Sequence, residues 1–274
     1  MNIDEIIHRH PTQKLGVVPR PTGRRVCALE NYLDPVKFPV PPVALDWQSR
    51  APGVVQMFGN DKVGDCAVAG YLHLKETVAA NAGWQAATGE PLVYKDPDDA
   101  LALYVQATSA LNPTGGYQPG DQTTDCGLVL VDFLNWQMRR GDILAHAVVD
   151  FKNDQLLRLS RWLFGGIYWA FNLPTAAQSM KFTWDKPSVF NLGDSAPGSW
   201  GGHCVNDEAH DDEGNSTVTS WGRRIQVTPY FRQTCGLEAH VIITKEWFAA
   251  AGGTAPSGFG LADLQNVLQK IQQG

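Results

Sequence analysis

The chain has 274 residues, 43% hydrophobic and 18% charged, enough to build one large domain or two lobes sharing an interface. Its formal net charge of −6 argues against nucleic acid as the main partner, because phosphate binding needs a basic face. The longest apolar run, Leu163 to Pro174, is interrupted by Gly and Asn and is too short to span a bilayer, so no membrane partner is expected.

Residues 1–40 read as an extended Pro-rich arm, with Pro11, Pro19, Pro21, Pro35 and Pro39 forbidding a long helix and Gly16 and Gly23 loosening it further. Such an arm wraps over a core, acts as a pro-segment or docks on a partner in an assembly, and its residues do not choose among these. The opening MNIDEIIHRHPTQK has no apolar core and no small-residue cleavage site, so the reading is cytoplasmic folding without a signal peptide.

The first helix begins near Cys66 and stops at Gly83. Val68, Tyr71, Leu72, Val78, Ala79 and Ala82 recur at three and four, which predicts one buried face with Lys75 as its polar interruption. Asp65 stands at the N-cap position and Gly83 at the C-terminal glycine position. Further helices are predicted from Pro97 to Leu111, Leu128 to Arg140 and Asp154 to Leu163. The second half then turns to short strands in FGGIYWAFNL, SWGGHCVNDEAH, NSTVTSWG, RIQVTPYF and EAHVIIT, rich in β-branched and aromatic residues. Asp211 to Asn215 reads as a hairpin tip. Residues 251–274 close the chain with an amphipathic helix carrying Leu261, Leu264, Val267, Leu268 and Ile271 on one face. Helices followed by strands imply an α+β architecture.

There are five cysteines, Cys27, Cys66, Cys126, Cys204 and Cys235, none in the Cys-x-x-Cys spacing of a zinc or redox site, and an odd count leaves at least one thiol free. Most cytosolic cysteines are small buried hydrophobes. Cys66 is set apart by its place at a helix start, where unpaired amides and the helix dipole favour the thiolate. The loop before it, Gly59 to Asp65, is punctuated by glycine and carries Asn60 six residues upstream, a side-chain donor for an oxyanion. His210 to Glu213 has metal-ligating residue types, but its position at a hairpin tip makes a solvated acidic turn the expected reading. His8, His10, His73 and His240 read as surface or packing residues. The serine-hydrolase elbow Gly-x-Ser-x-Gly does not occur. No metal or cofactor is expected.

Pro41-Pro42-Val43-Ala44-Leu45-Asp46-Trp47, Gly64-Asp65-Cys66, Gly201-Gly202-His203-Cys204-Val205 and Ser220-Trp221-Gly222 occur in that order. Cys66 and His203 lie 137 residues apart, within the ~130–150 of Cys–His peptidases of this kind. Asp125-Cys126-Gly127 before a helix, and a Leu-rich helix leading into Gly165-Gly166-Ile167, fit the same order. This pattern resembles the papain-like cysteine peptidases over roughly residues 41–245.

The resemblance implies a two-lobed fold over residues 41–250, with a helical lobe over about 50–140 carrying Cys66 and an antiparallel β lobe over about 141–250 carrying His203. It further implies a peptide or protein substrate, Cys66 as nucleophile and His203 as base. Asn60 falls at the family's oxyanion glutamine and Trp221 at the tryptophan that shields the catalytic pair from water. Thr219 replaces the asparagine that orients the imidazole, Ala67 replaces the tryptophan that commonly follows the nucleophile, and the long pro-region of secreted members is absent. These departures keep a second reading open: a papain-like scaffold of weak or no activity, used for binding or assembly through the arm, a phage particle included. An acyl transferase ranks last, because no aspartate stands near Thr219.

Overall fold

The computed structural model describes residues 13–24, 26–33, 40–51, 55–188, 190–249, 254–258 and 260–273. Pro11, Pro35, Pro39, His8 and His10 lie outside the described residues. In chain order come β1 (Val17–Val18), β2 (Leu45–Asp46), α1 (Cys66–Asn81), α2 (Trp84–Thr88), α3 (Asp98–Leu111), β3 (Leu128–Val129) and α4 (Leu130–Arg140). They are followed by β4 (Ala145–Val148), α5 (Asp154–Phe164), β5 (Ile167–Leu173), β6 (Thr183–Trp184), β7 (Gly201–His210), β8 (Ser216–Ser220), β9 (Arg223–Val227), α6 (Pro229–Cys235), β10 (Gly236–Ile243) and α7 (Leu261–Gln273).

The main sheet runs β4-β10-β5-β7-β8-β9-β6, with β2 also paired to β7. Its ladders are antiparallel except β6–β9. A separate two-stranded sheet joins β1 to β3 in parallel, Val17 opposite Leu128 and Val18 opposite Val129. The architecture is therefore α+β, with the α1 helix packed across β7, β5 and β8.

Two local expectations are corrected. α1 does not bury one face only, since every residue from Cys66 to Ala79 is buried. Its polar members are neutralised inside: Lys75 Nζ lies 2.6 Å from Glu246 Oε1 and donates to the Asp142 carbonyl at 3.1 Å. The helix approaches the sheet closely at Gly70, where a Cβ would sit 3.3 Å from Cys204 Sγ. The strand expected through RIQVTPYF ends at Val227, because Thr228 caps a new helix by accepting from the Phe231 amide and Pro229 occupies its first turn. Asp211 does close the β7–β8 turn, accepting from the Asn215 backbone and side-chain amides at 2.8 Å. In the C-terminal helix Leu264, Val267 and Ile271 are buried in the core, and Val17, Leu29 and Leu33 of the Pro-rich region join it. No helix among the described residues is long and apolar enough to cross a membrane.

Candidate active site

The loop before α1 is fixed from the helical lobe. The Gly64 amide donates to Asp125 Oδ2 at 2.8 Å, Tyr104 donates its hydroxyl to Asp125 Oδ1 at 2.7 Å, and the Gly127 amide donates to that hydroxyl at 2.8 Å. Asp125-Cys126-Gly127 is thus the clamp on the cysteine loop. Asp65 makes no side-chain cap bond to α1. Its carboxyl is fully buried and burial raises its pKa well above the usual range.

Cys66 opens α1 as expected, but its thiol is sealed. Burial pushes it up to about 12, outweighing the favourable backbone amides of Cys204, Gly16 and Ala67 that lie against it. A helix N-terminus favours a thiolate only while the sulfur keeps enough solvation or a cationic partner.

His203 lies on β7, its ring stacked on Trp221 at 3.9 Å between centroids and 14° between planes, with Trp184 edge-on at 6.3 Å. Trp221 reaches it through a tight connection. Trp221 and Gly222, at φ 46° and 68°, form the two-residue link between β8 and β9, and positive φ at both positions is what such a hairpin requires. The imidazole Nε2 is hydrogen-bonded to Ser220 Oγ at 2.6 Å, while Nδ1 is buried without a partner. Burial lowers its pKa to about 3, so the ring is neutral. Among the described residues no hydrogen bond joins it to Cys66.

Two assigned roles are displaced. Thr219 does not touch His203; its hydroxyl donates to Glu208 Oε1 at 2.6 Å. Successive residues of a strand face opposite sides, so the hydroxyl on the His203 side is that of Ser220. Asn60 is buried and spends its side-chain amide on the Val63 carbonyl at 3.1 Å, within its own loop, rather than pointing a donor at the thiol. His210 is no solvated turn residue either: Nδ1 accepts from Arg161 Nη1 and Nε2 donates to the Pro42 carbonyl, both at 2.9 Å. Among the described residues no cluster of three or more His, Cys, Asp or Glu side chains could hold a metal. All five cysteines are free.

The groove over Cys66 holds the chain's own main chain. The Lys14 amide donates to the Asn60 carbonyl at 3.0 Å, and Trp221 Nε1 donates to the Lys14 carbonyl at 3.3 Å. The Gly16 amide donates to the Gly202 carbonyl at 3.2 Å, and its carbonyl accepts from the Leu128 amide at 2.8 Å. Residues 14–18 therefore run between the cysteine loop, the Asp125-Gly127 clamp and the start of β7. The motifs flagged each wall of this groove, but nothing in residue order alone brought Leu15-Gly16-Val17 between them.

The fold is that of the papain-like cysteine proteases. The ragweed cysteine protease Amb a 11 in its proform superposes with a TM-score of 0.52 at 12% identity, covering 82% of this chain and 72% of that one. Procathepsin L 3 from the larval midgut of Tenebrio molitor gives 0.50 at 12% identity, covering 85% and 76%. No protein-family model matches the chain, and no curated protein matches it either.

Proposed function

We propose that the protein is a papain-like thiol hydrolase acting on peptide or other amide bonds, held here in a closed state. Cys66 is the nucleophile: its sulfur attacks the carbonyl carbon and the amine leaves with a proton delivered by His203. Water then hydrolyses the thioester and restores both groups. His203 is the base and acid, Ser220 is its positioning residue in the place expected of Thr219, and Trp221 covers the imidazole. Asn60 supports the loop rather than the oxyanion. The observation that carries this reading is the groove itself. It runs past Cys66 and the residue before His203, and it holds an extended peptide main chain through hydrogen bonds from both lobes.

A second reading, a scaffold without catalysis, is favoured by the neutral, buried state of both groups. The two separate on turnover of a dipeptidyl fluorogenic amide by the reduced protein, before and after limited proteolysis at the exposed turn Pro21–Gly23. Hydrolysis that appears in either preparation and vanishes in Cys66→Ala supports the hydrolase. No hydrolysis in either, with Cys66 nevertheless alkylated after proteolysis, gives the scaffold the lead.

A further inference from the structure

A second cavity lies on the far side of α1 from the groove. Lys75 follows Cys66 by about two and a half helical turns, so its side chain leaves α1 on the face opposite the thiol and ~13 Å further along. There α1, α3, α4 and the segments around Tyr94 and Glu246 line a space of about 560 Å³.

Its base is made of polar side chains that are themselves buried: Lys75 is 4% exposed, Glu246 2%, Tyr71 2% and Gln137 1%. Lys75 Nζ donates to Glu246 Oε1 at 2.6 Å and to the Asp142 carbonyl at 3.1 Å, which leaves one of its three N–H groups unspent. Glu246 Oε2 and Gln137 Oε1 are buried without a partner. The rim is fixed by Arg140, whose Nε lies 3.0 Å from Asp142 Oδ2 and whose Nη1 donates to Gln106 Oε1 at 3.2 Å, while its guanidinium stacks on Trp136 at 4.3 Å from the ring centroid. Trp84 and Tyr94 add two half-buried aromatic rings.

These pairings decide what the cavity can hold. Lys75 and Arg140 are each matched by a carboxylate, Glu246 and Asp142, and the other two charged lining residues, Asp99 and Lys245, are again of opposite sign. An anion or a cation entering it meets no unopposed countercharge to offset its lost hydration. The hydrogen-bonding capacity is of both kinds: oxygens that accept, an ammonium hydrogen that donates, and the Tyr71 and Tyr94 hydroxyls, which do either. A ligand dense in hydroxyls suits such a mixed array, because each hydroxyl both donates and accepts, and the aromatic rings pack against its C–H groups. The volume suits roughly one or two sugar rings.

We infer that this cavity binds a neutral saccharide, with Lys75, Glu246 and Gln137 hydrogen-bonding its hydroxyls at the base and Trp84 and Tyr94 against its C–H face. The inference stands apart from the chemistry of Cys66, on the other face of the same helix.

Saturation-transfer NMR and calorimetry on the reduced full-length protein test it. The probes are the methyl glycosides of glucose, galactose and mannose and N-acetylglucosamine, beside glucuronate and glucosamine as charged counterparts. At least one neutral sugar should bind, about tenfold or more tighter than either charged one, the discrimination expected from one uncompensated polar contact. Gln137→Leu and Tyr94→Phe should each weaken that binding about tenfold. Gln137→Leu also removes a buried oxygen that has no partner, so its denaturation midpoint should not fall. A merely structural role for Gln137 would lower the midpoint and leave the affinity unchanged. If Gln137→Leu does not fold, Tyr94→Phe decides alone, because Tyr94 is tied to Glu76 through its main-chain amide, which that substitution keeps. Cys66→Ala should bind the sugar as the wild type does. The inference is overturned if no neutral sugar binds, if a charged counterpart binds as tightly, if the folded variants keep full affinity, or if Cys66→Ala abolishes binding, which would put the sugar in the groove instead.

Discussion

The two ends of β7 are built on opposite terms. At its far end Asp207 receives Arg161 through two bonds, Nε to Oδ1 at 2.9 Å and Nη2 to Oδ2 at 2.6 Å, and both nitrogens of His210 are bonded. Ser216 accepts from Arg161 Nη2 and Arg232 Nη1, and Arg232 also reaches Asp154 at 2.8 Å. At its near end His203 has one hydroxyl partner, an Nδ1 buried without a partner and a stack of aromatic rings, and among the described residues no hydrogen bond joins it to the Cys66 thiol. Buried polar groups are ordinarily satisfied, and the Arg161–Asp207–His210 cluster follows that rule while His203 Nδ1 departs from it.

The largest effect is expected at the far end. Arg161→Met leaves the Asp207 carboxylate buried without its hydrogen-bond partner, and should cost about 3–5 kcal/mol in chemical denaturation. A loss below about 1 kcal/mol would show that the network is not what holds β7 to α5. Trp221→Ala comes next: it removes the ring stacked on His203 and the donor to the Lys14 carbonyl. A loss of about 3 kcal/mol is expected for such a truncation, together with faster alkylation of Cys66. Unchanged alkylation would mean that Trp221 serves the aromatic cluster but not the groove.

A smaller effect separates the two candidate orienting hydroxyls. Ser220→Ala and Thr219→Val should each cost about 1 kcal/mol, the usual net worth of one hydrogen bond. Only Ser220→Ala should move the ring-proton NMR signals of His203. A shift in Thr219→Val alone would return the orienting role to Thr219.

The pH profile is the most distributed effect, because it sums over groups in several parts of the fold. Burial lowers His203 and His146 to about 3 and His73 and His210 to about 4. Below an ordinary histidine pKa the unfolded chain therefore binds more protons than the folded one, and stability falls as pH drops through that window. Glu76 and Glu208 act with the other sign, being raised by burial to about 7 and about 8, so they hold protons in the folded state and destabilise it as pH rises above the usual carboxylate range. The two trends place maximum stability at roughly pH 6. A plateau extending to pH 9 in denaturation midpoints would contradict the raised glutamates, and a flat profile down to pH 4 the lowered histidines.

Much of this was open to reading in residue order. The start of α1 at Cys66, the glycine that ends it, the helix Asp154–Phe164, the hairpin closed by Asp211 and Asn215, and the strand carrying His203 follow from periodicity, turn residues and caps, which are local properties. The order of four short motifs pointed to the papain-like fold. Other features depend on partners remote in sequence. α1 is buried all round because Lys75 meets Glu246, and the register that gives His203 to Ser220 instead of Thr219 is set by how β7, β8 and the Trp221-Gly222 turn stack. Whether a thiol at a helix start is a thiolate or a sealed neutral group depends on what covers it. Here the cover is Gly16, fifty residues upstream, and only the folded chain brings it to Cys66, because a main-chain hydrogen bond carries no side-chain signature in sequence.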